Sequence, residues 1–372
     1  MFKPRLRHGV GGYLDDEHRL HFIVYTKSLR KVFSSTDEVT TLVSLLDGQR
    51  TTEELFAHLV ESYPTFTYDQ YKQIIDTLSS EGLIVFDSSS KPITEDVRTI
   101  HDRQVQFWEE MTTQVYGTDK YQERVQNSRV AVFGLGGTGS WIGMGLALSG
   151  VKHITIVDCD TVEASNLHRQ ILFTQENIGQ SKVDAATRAL RRIKNDLEIT
   201  AHSIRIDEHS DLQAIISNHD LVFNCMDEPD INTTSAWVAS ACYDLGIPHI
   251  VGGGYAGHFG LIGPTIIPGQ TACWECYQAN HKEEKLDLKP LTPWAPRRSS
   301  ASIAPIAAIV ANIQLWDALR ILSRVGSPTG INKTGEIDFM TLSIRWKELS
   351  TEHFCERCKG IATSVSKEGI NQ

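Results

Sequence analysis

The 372-residue chain is predicted to be an α/β protein: a mostly parallel sheet with an antiparallel extension, preceded by a small N-terminal α/β domain of winged-helix type. Three observations predict this. From Arg129 onward, apolar runs of strand length alternate with helical patterns, the order that a parallel sheet with helices on both faces requires. A glycine-rich turn, GLGGTG from Gly134 to Gly139, joins the first of those strands to the first helix. Upstream of residue 88, three short helical patterns each open on Ser or Thr with Glu or Gln three residues later.

Residues 1–87 form the first unit. Extended stretches at Leu20–Tyr25 and Lys31–Phe33 come before the helices, and capping boxes are expected at Ser35 with Glu38, Thr51 with Glu54, and Thr67 with Gln70. Apolar residues then recur at helical spacing: Val39, Leu42, Val43 and Leu46; Leu55, Leu59 and Val60; Tyr71, Ile74, Ile75 and Leu78. Leu83–Phe86 closes the unit as a strand. The run from Ser88 to Pro92 has linker composition, so a linker is assigned to residues 88–99 and the larger domain to 100–372.

A polar helical stretch over Glu95–Val115 leads into that domain. Strands are expected at Arg129–Phe133, His153–Val157, Ile199–Ile206, Leu221–Cys225 and His249–Val251, with a helix over Gly139–Leu148. Beyond Gly252 the pattern changes to antiparallel strands over Phe259–Ile267, an irregular segment, and an apolar helix over Ile303–Leu322.

Composition narrows the function. With 41% hydrophobic and 22% charged residues and 12 prolines, the chain matches ordinary globular proteins. A net charge of −10 disfavours nucleic-acid binding, which needs clustered excess cations. The N-terminal MFKPRLRHGVGG lacks the apolar core of a secretory signal, and no apolar run is expected to span a bilayer, so the expected location is cytoplasmic with no membrane partner. The seven cysteines are odd in number and four fall in two C-x-x-C pairs, unlike a secreted disulfide framework.

The glycines Gly134, Gly136, Gly137 and Gly139 permit a tight turn and let phosphate oxygens approach backbone N–H groups at a helix N-terminus. Alone, that turn fits NAD, FAD, S-adenosylmethionine or ATP equally well. Asp158, ending the second strand, is placed to accept hydrogen bonds from a ribose hydroxyl, or else simply to form the turn. The residues that follow are more specific. Asn166, Arg169, Gln170 and Lys182 bring two cations and amides back toward the phosphates, which suits a pentacoordinate α-phosphate better than a nicotinamide. Asp227 ends a predicted strand and is positioned to hold Mg²⁺ against ATP; Asp230 is expected as a helix N-cap.

Cys273-Trp-Glu-Cys276 and Cys355-Glu-Arg-Cys358 have the spacing of a tetrahedral Zn²⁺ site. Four thiolates leave no open position, so a structural zinc is expected. Cys225 and Cys242 fall in predicted core elements, and Cys159 is also assigned to packing. The region from His281 to Ala304 contains no cysteine, which disfavours an enzyme thioester.

Together GLGGTG, VDCDTVEASNLHRQ, GQSKV and NCMDEPD resemble the ThiF/MoeB/E1-like adenylating superfamily, over about Ile100 to Lys359. The resemblance implies a Rossmann-like fold and a homodimer in which Arg103 completes the partner's ATP site. It assigns Asp158 to the ribose, Asp160 to the adenosine site or its frame, and Arg103, Asn166, Arg169 and Lys182 to phosphates. Asp227 is implied to bind Mg²⁺ and align the attacking carboxylate. The run HIVGGGYAGHFGLIGPTIIPGQTACWEC is similar to microcin C7-type peptide adenylating enzymes.

The run EVTTLVSLLDGQRTTEELFAHLVESYP with EGLIVF resembles the PqqD-like domains that recognise leader peptides of ribosomally made precursors. In that mode the leader adds as a β-strand, here to the edge supplied by Leu20–Ser34. Acidic helices bearing Glu53, Glu54, Glu61 and Asp69 count against a DNA-binding winged helix. The expected function is adenylation of a precursor-peptide carboxylate, at a side chain or the C-terminus, using ATP, Mg²⁺ and a structural Zn²⁺. Intramolecular capture then gives an amide, imide or ring, as in antibiotic-producing microcin C7-type and pantocin A-type relatives. The rivals are activation of a sulfur-carrier protein's Gly-Gly terminus and a non-catalytic leader-binding scaffold. Arg297, Arg298, Ser299 and Ser300 are candidate substrate contacts.

Overall fold

The structure is a computed structural model that describes residues 2–88, 92–282, 301–350, 355, 356 and 358. The chain divides into two compact units, Met1–Arg124 and Val125–Gln372. Residues 89–91 of the expected linker lie outside the described residues, as do Arg297, Arg298, Ser299 and Ser300.

In the first unit, β1 (Phe2–Leu6) pairs antiparallel with β5 (Ile84–Ser88), while β2 (Val10–Leu14), β3 (Arg19–Val24) and β4 (Leu29–Ser34) form a meander in that order. Neither β1 nor β2 is predicted by the sequence. A proline, a lysine and an arginine mask β1, and Gly11 and Gly12 weaken the pattern of β2. Between β4 and β5 lie α1 (Asp37–Ser44), α2 (Thr52–Ser62) and α3 (Tyr68–Ser80). The boxes at Thr51 with Glu54 and Thr67 with Gln70 form as expected. The first does not: α1 is preceded by Thr36, and Ser35 Oγ bonds Thr40 Oγ1 at 2.9 Å instead. Leu42, Leu55, Leu59, Leu83 and Ile84 close over Phe22 of β3 as one core. This accords with the predicted winged-helix-type arrangement.

The polar stretch expected as one helix is two, α4 (Glu95–Ile100) and α5 (Asp102–Glu110), because His101 leaves helical geometry at φ −105° and ψ 19°. The end of α5 is held by an ion cluster. Glu109, fully buried, accepts from Arg5 Nη2 at 2.7 Å and from the His8 N–H at 2.9 Å. Arg7 donates to the Glu109 carbonyl at 2.6 Å and to that of Thr112 at 3.1 Å. A last helix, α6 (Lys120–Asn127), spans the boundary between the units.

The second unit is built on a six-stranded sheet. Its parallel strands are β6 (Arg129–Phe133), β7 (His153–Val157), β8 (Glu198–His202), β9 (Leu221–Asn224) and β10 (His249–Val251), in the spatial order β10-β9-β6-β7-β8. The order reverses between β6 and β9, and open α/β sheets bind ligands at the carboxyl ends flanking such a switch point. Three of the five strands match the predicted bounds; β8 and β9 end earlier. Helices α7 (Gly137–Leu148), α8 (Lys182–Ile193), α9 (Leu212–Ile216) and α10 (Ile231–Leu245) connect them.

The antiparallel stretch expected over Phe259–Ile267 splits between two sheets. β12 (Phe259–Ile262) joins β11 (Tyr255–Ala256) in a separate sheet, whereas β13 (Thr265–Ile266) pairs antiparallel with β10. After α11 (Trp274–Lys282) and α12 (Ala304–Ser323), β14 (Lys333–Asp338) and β15 (Ser343–Glu348) complete the order β11-β12-β14-β15.

Against the expectation that no apolar run could span a bilayer, α12 has 20 residues and is apolar enough by composition to do so. It packs on α7, where a methyl group at Gly145 would strike Leu315. It also buries Gln314 and Asp317 with their hydrogen bonds made, the behaviour of a core helix.

Candidate active site

The glycine turn follows β6 at the switch point. Gly134 has φ +85°, and a Cβ there would lie 2.7 Å from the Cys225 carbonyl oxygen. Gly139 faces the Gly134 carbonyl too closely for any side chain. Gly136 occupies the cap position of α7 with no side-chain cap, and the space above it is open. The first N–H groups of α7 are therefore presented to an anion.

Asp158 holds this turn from the end of β7. It is buried, and its carboxylate accepts the Leu135 N–H at 2.6 Å and the Asp160 N–H at 2.8 Å. Burial raises its pKa, partly offset by the nearby Lys182 charge. Asp160 and Lys182 meet beside it: Lys182 Nζ lies 2.8 Å from Asp160 Oδ2, and its backbone N–H donates to the Asp160 carbonyl at 2.9 Å. For Asp160 burial acts upward, but the Lys182 hydrogen bond and charge outweigh it and lower the pKa.

Asn166, Arg169 and Gln170 occupy the loop between β7 and α8. Asn166 Oδ1 accepts the Glu163 N–H at 3.0 Å, and Trp141 of α7 donates to the Arg169 carbonyl at 3.1 Å, fastening this loop to the helix after the glycine turn. Arg169 Nη1 donates to the Ser165 carbonyl at 2.8 Å. Gln170 is buried, and its Oε1 has no hydrogen-bond partner among the described residues. An orphaned buried amide oxygen at this point is the kind of group a bound nucleotide would satisfy.

Asp227 stands exposed just beyond β9, beside the glycine turn, since the Cys225 N–H donates to the Phe133 carbonyl at 2.7 Å. Its loop is clamped by residues the sequence did not single out. Buried Asn224 donates to Thr234 Oγ1 at 3.1 Å and Ser235 Oγ at 3.0 Å and accepts the Met226 N–H at 3.2 Å. Thr234 Oγ1 donates back to the Met226 carbonyl at 2.8 Å. Asp230 caps α10, as expected, accepting the Asn232 and Thr233 N–H groups at 2.9 and 3.1 Å.

No cysteine here is primed as a nucleophile. Burial and then the Asp227 charge push the Cys225 thiol up to about 12, and burial raises that of Cys242. Cys159 corrects an expectation: it is exposed rather than packed, because Asp158 and Asp160 on either side turn toward the site. Its thiol is raised as well, by burial and by Asp160.

Of the expected site residues, Arg103 alone belongs to the first unit. It is exposed on α5, the helix that also carries the exposed Phe107 and is capped by the exposed Met111.

Cys273, Cys276, Cys355 and Cys358 gather with all four sulfurs within 4.8 Å of one another. A Zn–S distance of about 2.3 Å in a tetrahedron gives S–S edges of about 3.8 Å. The observed edges are 3.9 Å for Cys273–Cys276 and 3.6 Å for Cys273–Cys355, so these residues fit a zinc ion. The cluster joins the start of α11 to a segment 82 residues away and lies in the same core as Trp274 and Tyr277.

The ThiF family pattern matches residues 101–360, more than half of the chain. The protein belongs to the ThiF family. It is 30% identical over 237 residues to the molybdopterin-synthase adenylyltransferase of Escherichia coli (strain K12), covering 64% of this chain and 89% of that one. Crystal structures share its fold: E. coli MccB, solved with AMPCPP and MccA, superposes with a TM-score of 0.68 at 18% identity, over 94% of this chain and 97% of that one. PaaA superposes at 0.71 with 20% identity, over 92% and 98%. This ThiF-family protein is thus an E1-like adenylating enzyme.

Proposed function

We propose that this ThiF-family enzyme adenylates a carboxylate of a ribosomally synthesised precursor peptide and that a nucleophile on the same peptide captures the activated acyl group. The supporting observation is the domain that precedes the adenylating one. Its three-stranded sheet ends on β4, an edge strand open among the described residues, which suits addition of a leader peptide as a further strand. Relatives of the same fold include MccB, named as a microcin C7 biosynthetic enzyme and solved with N-formylated MccA.

The site residues take the following roles in this reading. The N–H groups at the start of α7, with Arg169, Lys182 and Asn166, hold the ATP phosphates; Asp158, Asp160 and Gln170 hold the adenosine end. Asp227 holds Mg²⁺ and aims the attacking carboxylate. The carboxylate oxygen bonds the α-phosphorus, and pyrophosphate leaves with the electron pair of the broken bond. Raised thiols at Cys225 and Cys159 favour direct capture over a thioester. Arg103 completes the site of a second copy, and the exposed Phe107 and Met111 on the same helix and its cap are where that copy would pack.

A sulfur-carrier substrate is the second reading, favoured by the 30% identity to molybdopterin-synthase adenylyltransferase. ATP–pyrophosphate exchange separates the two. Short peptides encoded beside the gene should stimulate exchange and, on mass spectrometry, lose about 18 Da per dehydration or gain an AMP mass. Stimulation by a Gly-Gly carrier alone would replace the peptide reading. Mixing Arg103→Ala with Asp227→Ala chains should restore exchange; no recovery would remove the shared-site arrangement.

A further inference from the structure

We propose that Tyr255 is a further substrate-contacting residue of this site, donating its phenolic O–H to a phosphoryl oxygen of the nucleotide seated on the N-terminus of α7. The proposal rests on the adenylation reading above. Tyr255 begins β11 and is carried there by Gly252, Gly253 and Gly254 at the carboxyl end of β10. Crowding requires glycine at the first two of these positions. A Cβ at Gly252 would meet the Asn224 carbonyl oxygen at 2.6 Å and Cys225 Sγ at 2.9 Å, and one at Gly253 would meet Val310 at 2.6 Å. The loop therefore runs tightly across the end of β9, next to the segment that carries Asp227.

Two side chains fasten it. Gln314 of α12, buried, accepts the Gly253 N–H at 2.7 Å and donates to the Val251 carbonyl at 2.6 Å. Thr138, in the first turn of α7, donates to the Gly253 carbonyl at 3.1 Å. The loop is thereby tied to the same helix end that presents its N–H groups to an anion.

Held there, Tyr255 lays its hydroxyl against Gly137, so closely that any side chain at Gly137 would collide with that oxygen. Among the described residues the hydroxyl has no hydrogen-bond partner. A half-buried phenol without a partner, set over the uncapped start of a 12-residue helix, faces the anion that those N–H groups would bind. When the carboxylate oxygen bonds the α-phosphorus and the bond to the pyrophosphate oxygen breaks, charge on the non-bridging oxygens is stabilised by this O–H. Tyr255 transfers no proton, and the electron pair of the broken bond leaves on pyrophosphate.

The test is Tyr255→Phe, which keeps the ring and removes a hydroxyl that makes no hydrogen bond among the described residues. ATP–pyrophosphate exchange should fall on the order of 10- to 100-fold, the effect of losing a hydrogen bond to a charged group. AMPCPP should still bind within about threefold of wild type by calorimetry, and the ³¹P resonance of its bound α-phosphorus should move. Wild-type exchange, an unmoved α-phosphorus resonance, or loss of AMPCPP affinity in proportion to rate would each overturn the proposal. If the wild-type protein neither binds AMPCPP nor exchanges pyrophosphate with any carboxylate, the adenylation reading itself fails. If it does both and only Tyr255→Phe behaves as wild type, the Tyr255 contact alone is lost.

Discussion

Lys182 and Asp160 are joined twice, by the ammonium to the carboxylate at 2.8 Å and by the Lys182 backbone N–H to the Asp160 carbonyl at 2.9 Å. The pair bridges the start of α8 to the third residue after β7, so the lysine is both buried and aimed by the turn that follows Asp158. Lys182→Ala should lower ATP–pyrophosphate exchange by roughly 10²-fold, the scale for removing one charge-stabilising donor from an active site. Since the Asp160 side chain is more than half exposed, it can be hydrated in the variant, and thermal melting should change little. Wild-type exchange in Lys182→Ala would remove this lysine from the phosphate site.

Glu109 sets an acid limit on the first unit. Burial raises its pKa, but hydrogen bonds from His8 and Arg5 and the Arg5 charge dominate and hold it at about 2. Because the folded value lies below the ordinary carboxyl value of 4.5, the folded state binds fewer protons between the two. This stabilisation, about 3 kcal/mol by linkage, is complete above pH 4.5 and lost as pH falls toward 2. Urea unfolding of wild type and Glu109→Gln across pH 2–6 should show a smaller pH slope in the variant. Equal slopes would mean that Glu109 is not the responsible group.

The cysteine cluster should hold one zinc per chain. Cys276→Ser breaks the tetrahedron at a fully buried position and should release the metal, measured by mass spectrometry of the element, and lower the melting temperature. Chelator treatment of the wild type should reproduce the shift. A chain purified without zinc and melting at the same temperature as the zinc-loaded form would rule out a structural metal.

The open edge of β4 can be tested one N–H at a time. The Ser35 N–H donates to the His18 carbonyl at 3.1 Å, and with the register Leu20↔Phe33 and His21↔Val32 this points the Val32 N–H away from β3. Val32→Pro removes a group that has no partner among the described residues and that an added strand would use, and proline is tolerated on such an edge. Affinity for the full precursor should fall at least tenfold, since several ladder bonds are disturbed, while exchange with a leaderless core peptide is unchanged. Undiminished precursor binding would place the leader elsewhere.

The signals that were legible in the sequence are those in which backbone geometry is set within a few residues. The tight turn at Gly134 excludes Cβ atoms, so glycine had to appear there, and the boxes at Thr51 and Thr67 close over three residues. The edge of β6 and the cap by Asp230 were legible for the same reason. Ser35 failed because the helix began one residue later, a shift that spacing alone does not register.

By itself, the sequence determined the α/β class, the glycine turn with Asp158, Lys182 and Asp227 around it, and four cysteines with the spacing of a metal site. All are short motifs whose residue types are demanded by local geometry or by ligand chemistry. Only the tertiary structure decided that Tyr255 stands over Gly137, that Asn224 clamps the loop of Asp227, and that β1 crosses the first unit to pair with β5 and deliver Arg5 to Glu109. Arg5 and Glu109 are 104 residues apart, and neither carries a local pattern that implies the other. Their meeting follows from where the buried faces of distant elements pack, and that is a property of the whole fold.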